Sequence, residues 1–317
     1  MQKLGYTAVA LAAMLASSLA TAQDTKVALA ISGWTGFAPL TLAKEAGLFK
    51  KHGIDVTIKK IPQKDRHLAI ASGDVQCAAT TVETWIGWNA AGVATTQIFQ
   101  LDKSYGADGM VVRPGIMKIT DLKGKTVASS PPGTSPYFAL AWMLKKNGMS
   151  VKDVRVINLE PQPAANAILA GTEGVDAAMT YEPYLSAVRA KPAAGKIIAT
   201  TLDYPMVMDT LGCTPKFLAE NPKAAKALAD GYFDALAMIK AEPKKSFEIM
   251  GADVKQSGEA FEASQKYLRW QDRAANQKFF AGEHAAFSKE AADLLLEAGI
   301  IKSIPDLSKL ADTQFIK

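Results

Sequence analysis

Cysteine and histidine are scarce in this 317-residue chain, with two Cys, at 77 and 213, and three His, at 52, 67 and 284. Two cysteines do not make the disulfide framework of a small secreted scaffold, and buried free thiols are the expected state for Cys77 and Cys213. The histidines stand far apart with no HxH or HExxH spacing, and no CxxC occurs, so neither a metal site nor a cofactor is expected. GxGxxG and GxxxxGK[ST] are both missing, which removes the common phosphate loops. Lys and Arg number 36 against 31 Asp and Glu. They are spread without runs or interleaved aromatics, so the small positive excess gives no support to nucleic-acid binding. Beyond the N-terminus no stretch approaches the roughly 18 apolar residues that read as a membrane span.

What is present begins with a leader. Residues 1–22 carry Lys3, an apolar run from Ala8 to Leu15 and the small-x-small end Ala20-Thr21-Ala22, the pattern of a secretory signal peptide cut before Gln23. No Cys lies near the cut, so a soluble periplasmic protein is expected rather than a lipid-anchored one. With 49% hydrophobic and 21% charged residues the remainder can bury a large core or two medium ones.

Strand and helix patterns alternate along the first two thirds, which predicts an α/β fold with mostly parallel sheets. Lys26 to Ser32, Ile54 to Ile61 and Val75 to Ala79 read as strands, each followed by a turn and a helix. The same order returns about a hundred residues later. Lys125-Thr126-Val127 answers Lys26-Val27, Asp153 to Val156 answers Asp55 to Ile58, Pro161-Gln162 answers Pro62-Gln63, and Val175 to Thr180 answers Val75 to Thr80. Two lobes of one plan follow. The expected boundaries are 24–110 with 205–317 for lobe 1 and 111–204 for lobe 2, the mostly helical tail packing back on lobe 1.

The stretch Asp121 to Gly148 reads as a strand, a Pro131-Pro132-Gly133 loop and a helix. Ser135 is the expected N-cap, Pro136 the first helical residue, and Gly148 the C′ residue. Amides at the helix start, with the hydroxyls of Thr134 and Ser135, would favour an anion or polar acceptor.

Ligands of parallel α/β sheets sit beyond the carboxyl ends of the strands. Those ends present Trp34 and Thr35, Gln63, Thr80, Thr81 and Glu83, Thr134 and Ser135, and Tyr181 with Glu182, a set rich in hydroxyls and aromatics. Glu83 and Glu182 read either as acid/base carboxylates or, more simply, as residues that complement a helix dipole. No Ser/His/Asp triad is readable, so binding is expected rather than catalysis.

Six segments together carry a family resemblance: Trp34-Thr35-Gly36, Pro39 to Phe49, Gly73-Asp74-Val75, Leu122 to Val127, Pro132 to Ser135, and Tyr181-Glu182-Pro183-Tyr184. The chain resembles the periplasmic substrate-binding proteins of ABC importers, in the nitrate, taurine and alkanesulfonate group that also embraces thiamine-pyrimidine binders. The resemblance implies two lobes joined by two crossover strands, a type II-like arrangement, with a monomer that hands a small molecule to a membrane permease. It places Trp34, Thr35, Thr80, Thr81, Thr134, Ser135 and Tyr181 around the ligand, expected to be a small organic anion or a taurine-like zwitterion, with a pyrimidine-like aromatic as the alternative. One departure is that these loops lack an Arg, apart from Arg66 one turn into a helix. Fold-related fungal enzymes of pyrimidine synthesis form a rival class, but they carry a cysteine-rich motif that this chain lacks.

Overall fold

The computed structural model describes residues 24–317, so the leader expected over 1–22 lies outside the described residues. Strand β1 (Thr25–Ile31) leads through a 3-10 turn, Thr35–Phe37, into helices α1 (Ala38–Glu45) and α2 (Leu48–Lys51). Then come β2 (Ile54–Lys60), α3 (Gln63–Ala71), β3 (Cys77–Thr81), α4 (Val82–Ala90) and β4 (Thr96–Ser104). The chain crosses over at 105–107 into β5 (Asp108–Val112), β6 (Thr126–Ser129), α5 (Ser135–Lys146), β7 (Arg155–Asn158), α6 (Pro161–Leu169), β8 (Ala177–Tyr181), α7 (Tyr184–Arg189) and β9 (Lys196–Thr200). It returns at 201–207 into β10 (Met208–Cys213) and a tail of α8 (Pro215–Glu220), α9 (Pro222–Ala241), α10 (Pro243–Asp253), α11 (Gly258–Gln265), β11 (Leu268–Trp270), α12 (Arg273–Lys278) and α13 (His284–Glu297). None of the described helices is long and apolar enough to cross a membrane.

Two sheets result, ordered β11-β4-β10-β3-β1-β2 and β7-β6-β8-β5-β9. The strand-helix-strand units supply the parallel pairs, β1 with β2 and β3, and β6 with β7 and β8. Strands beside the crossings enter from the opposite end, so β10 pairs antiparallel with β3 and β4, and β5 with β8 and β9. The sheets are therefore mixed, and each crossing delivers the start of an antiparallel strand to the edge where the parallel strands end. Buried β1 reads as a near-continuous apolar run, as strands covered on both faces do. At the sheet edge β2 ends on exposed Lys59 and Lys60, charges that discourage pairing with another chain.

The sequence repeat has a physical counterpart. Gln76 and Asp176 hold matching positions, and each side chain accepts a hydrogen bond from the neighbouring strand, Gln76 from the Ala28 amide at 2.9 Å and Asp176 from the Thr126 amide at 2.8 Å. One residue further on, the two halves differ. Cys77 lies in register opposite Cys213 of β10 and is joined to it by a disulfide, S–S 2.07 Å. This corrects the expectation of free thiols: strand pairing sets side by side two residues 136 apart in sequence.

The tail packs mainly on the first half and also reaches the second. Buried residues of α9, α10 and α11 complete the core of the first sheet. Helix α13 instead packs with α5 of the second half and α4 of the first: the Phe287 ring lies 6.4 Å from Phe138 and 5.8 Å from Trp142, and Lys146 pairs with Glu290 at 2.7 Å. The apolar positions of α13, Phe287, Ala291, Leu294 and Leu295, recur on one helical face, which is covered by α4 and α5 together.

Candidate functional site

Both sheets turn their ligand-bearing edges to one cavity, whose free interior is about 30 Å³. That is far below the roughly 300–1,000 Å³ of small-molecule pockets, so the cavity is nearly closed as it stands. The first half contributes Ser32, Trp34, Phe37, Gln63, Arg66, Thr80, Thr81 and Asp209; the second contributes Asp108, Ser135 and Tyr181, and Val207 comes from the returning segment.

The aromatic wall spans the halves, the rings of Trp34 and Tyr181 meeting edge to face at 5.3 Å. Gly36 lets this corner form. A Cβ there would overlap both the Trp34 indole nitrogen and the Asp102 carboxylate, so only Gly allows the approach. Gln63 also spans the halves. Its amide nitrogen donates to Thr80 at 2.9 Å and Thr84 at 2.8 Å, and its oxygen accepts from the Ser135 amide at 3.2 Å. An amide at the start of α5, expected to meet a ligand, is thus met by a side chain of the other half. The helix begins at Ser135 with Thr134 as N-cap, one residue earlier than expected, and the Thr134 hydroxyl donates to the Pro131 carbonyl at 2.7 Å instead of facing the cavity.

Of the residues expected at the ligand, Trp34, Gln63, Thr80, Thr81, Ser135 and Tyr181 line the cavity. Thr35 is fully buried in the 3-10 turn and stands outside the lining. Glu83 lies one layer back, where it accepts a hydrogen bond from the Thr81 hydroxyl. Glu182 turns away altogether: it pairs with Arg189, accepts from the Ser186 amide at 3.1 Å, and belongs to the frame of the crossing, since Arg189 also donates to the Gly106 carbonyl at 2.7 Å.

Electrostatics set this cavity apart. Burial pushes Glu83 up to about 8, with the Asp108 charge adding to it and the Thr81 and Ser135 hydroxyls opposing it. Burial likewise raises Asp108 to about 7, reinforced by Glu182. Asp102 and Asp209, opposite each other in β4 and β10, are both held well above the usual carboxylate range, first by burial and then by neighbouring carboxylates. The Arg66 guanidinium, 1% exposed, is lowered to about 10 by burial. Its Nε donates to the Ile61 carbonyl at 2.9 Å and Nη1 to the Ala79 carbonyl at 2.5 Å, which leaves Nη2 unpaired.

The family described as NMT1/THI5 like matches residues 34–246. The chain belongs to the NMT1/THI5-like family. Curated proteins are similar to the chain as well. A protein of Brucella abortus (strain 2308) named as a binding protein is 25% identical over 260 residues, covering 78% of each chain. The taurine-binding periplasmic protein of Escherichia coli (strain K12) is 29% identical over 185 residues, 55% of this chain and 54% of its own. Among solved structures, the alkanesulfonate-binding protein SsuA of Xanthomonas axonopodis pv. citri, bound to MOPS, superposes with a TM-score of 0.77 at 16% identity, over 92% of this chain and 98% of its own. That likeness establishes the two-lobed periplasmic binding protein fold.

In this NMT1/THI5-like chain the acids that sequence reasoning missed are Asp102, near the carboxyl end of β4, and Asp209, near the start of antiparallel β10. Their signal was an Asp inside otherwise buried strand sequence, as in Met208-Asp209-Thr210-Leu211. Arg66 is the one Arg near these loops, one turn into a helix. Because α3 begins at Gln63, Arg66 lies close enough to its start to reach the cavity.

Proposed function

We propose that this protein is the solute-capturing component of an ABC importer, exported through its leader to the periplasm, where as a monomer it holds a small molecule between its two halves and delivers it to a membrane permease. The observation that carries this reading is the cavity itself, walled from both halves beside the two crossings and lined by buried polar groups without partners, among them Arg66 Nη2, the Ser135 hydroxyl and one oxygen each of Asp108 and Asp209. Such groups are costly to leave unpaired, and a bound solute would satisfy them.

A taurine-like zwitterion suits the lining best of the solutes expected. Arg66 Nη2 and the Ser135 hydroxyl would meet the acid group, and Asp108 with Asp209 the ammonium. The names of the taurine- and alkanesulfonate-binding relatives agree with an acid group of that kind. A pyrimidine-like solute is the second reading, for which Trp34 and Tyr181 would be the walls; their edge-to-face contact at 5.3 Å offers one ring face rather than a two-sided slot. Catalysis has no part in this proposal. Cys77 and Cys213 are tied to each other, His52 bonds Asp234 at 3.0 Å, and His284 bonds Gln97 at 3.2 Å, all outside the cavity lining.

Thermal unfolding of the mature protein against small sulfonates, amino sulfonates, carboxylates, pyrimidines and ureas tests the capture reading. A true solute at a hundredfold excess over its dissociation constant adds about 2.7 kcal/mol of stability. A panel that leaves the midpoint unmoved throughout would count against capture.

A further inference from the structure

Carboxyl groups crowd the cavity while Arg66 is the single cation in its lining, and the imbalance says which end of a solute is gripped. Asp209 lies in register opposite Thr81 on one side and Asp102 on the other, Asp108 lies opposite Tyr181, and Glu83 stands behind Thr81. None of these acids is more than 4% exposed. Both oxygens of Asp102 and one each of Glu83, Asp108 and Asp209 lack a hydrogen-bond partner, although the Trp34 indole and the Asp209 carboxyl lie beside Asp102. Among the described residues no ion pair joins any of them to a cation. The buried Arg66 Nη2 at the same cavity also has no partner, so the unmet groups belong to a place shaped for a ligand and not to a stray acidic patch.

Buried carboxyls keep their protons unless a counter-ion with fitting hydrogen bonds favours the charged form. Hydrogen bonds from a cationic N–H to a carboxylate are among the strong ones, and a compact cation with several N–H donors matches several free carboxyl oxygens. The only charged group an anion would meet is Arg66, two of whose nitrogens are already committed to carbonyl oxygens.

We propose that the cleft recognises its solute through a compact, positively charged nitrogen group of the ammonium or amidinium type, held between Asp108 of one half and Asp209 of the other, and that an acid group on the solute is dispensable. This rests on the capture reading and narrows it.

Calorimetry with the mature protein separates the two. The probes are taurine, which carries both groups; ethanesulfonate, the acid alone; ethylammonium and guanidinium, the cation alone; and urea, the uncharged analogue of guanidinium. Binding of taurine and of at least one cation-only probe is expected, with ethanesulfonate and urea weaker by about a hundredfold or more. Asp209→Asn and, separately, Asp108→Asn should each weaken the cation-only probe by about tenfold or more while the ligand-free unfolding midpoint stays level or rises. Ethanesulfonate binding as tightly as taurine, with the cation-only probes silent, overturns the inference and leaves capture standing. Binding of only anionic or uncharged solutes from the wider thermal panel overturns it in the same way. If no solute in either set binds, the inference and the capture reading fall together.

Discussion

Strands β3 and β8 hold the same place in the two halves of the repeat, and their C-terminal ends carry Thr80-Thr81-Val82-Glu83 and Thr180-Tyr181-Glu182-Pro183. A hydroxyl, a cavity-facing residue and a buried glutamate appear in both, yet the glutamates have opposite fates. Glu83 lies in the first turn of α4 with no cation beside it, keeps one oxygen unpaired and is pushed up to about 8 by burial. Glu182, within one residue of the equivalent position, meets Arg189 and the Ser186 amide and braces the crossing through Gly106. The hydroxyls diverge too, since Thr80 accepts from Gln63 while Thr180 donates to the Pro161 carbonyl at 2.8 Å. A shared motif therefore fixes where a side chain starts, and the neighbours supplied by other elements decide whether it is frame or site.

The largest effect should come from removing the framed glutamate. Glu182→Ala strands Arg189 and breaks a largely buried ion pair, at a cost of about 3–5 kcal/mol in denaturant unfolding. Glu83→Gln should leave the ligand-free protein as stable as before or more so. Equal losses in the two variants would erase the distinction between frame and site.

The halves differ next in the staple, for Cys77 is tied to Cys213 whereas Ala177, its counterpart, is not. Cys77→Ala with Cys213→Ala should lower stability by about 2–4 kcal/mol, because the crosslink closes a long loop in the unfolded chain. A double variant that unfolds at the wild-type midpoint would show that the bridge contributes nothing.

A smaller effect is the response to pH. Glu83 and Asp108 titrate near 8 and near 7 when folded, against about 4 for ordinary carboxylates, so the folded state holds more protons than the unfolded chain between those limits. Their contribution is present at low pH and is lost as pH rises through 7 and 8. His284, lowered to about 4 by burial, acts in the opposite sense below its unfolded value of about 6.5, so the test belongs above that pH. Ligand-free stability should fall between pH 6.5 and 8.5 by on the order of 1 kcal/mol per unit, and Glu83→Gln should flatten the slope. A rising curve in that window would mean that the carboxyls are ionised and paired.

The smallest effect concerns Gln63, which bonds the hydroxyl of one half and the helix start of the other. Gln63→Ala should cost about 0.5–1.5 kcal/mol for each bond lost. It should also enlarge the solute-saturated protein in solution, and an unchanged size would remove Gln63 from the contacts that hold the halves together.

Much of this was legible in the residues, for identifiable reasons. The strand-helix-strand units showed through their turns and periodicity, and Val75 to Thr80 repeated as Val175 to Thr180 because both strands face the same packing problem. Trp34, Gln63, Thr80, Thr81, Ser135 and Tyr181 were found by the rule that ligands gather at parallel strand ends. Asp209 escaped that rule because it lies near the start of an antiparallel strand, and Asp102, near the carboxyl end of β4, is brought beside it only by the pairing of β4 with β10. The disulfide was hidden for the same reason, since only pairing of β3 with β10 reveals Cys213 as the neighbour of Cys77. Glu182 was placed at the ligand because nothing local announces Arg189 as its partner seven residues on.

Capture between halves is tested most directly by small-angle X-ray scattering of the mature protein with and without a solute that calorimetry shows to bind. With Gln63 bonded across to Ser135 and Trp34 against Tyr181, the halves here are drawn together around the cavity. Hinge closure predicts a larger radius of gyration in the ligand-free protein and a fall on saturation to the value that this structure gives. A radius that is the same in both states, with the solute demonstrably bound, would contradict closure as the means of capture.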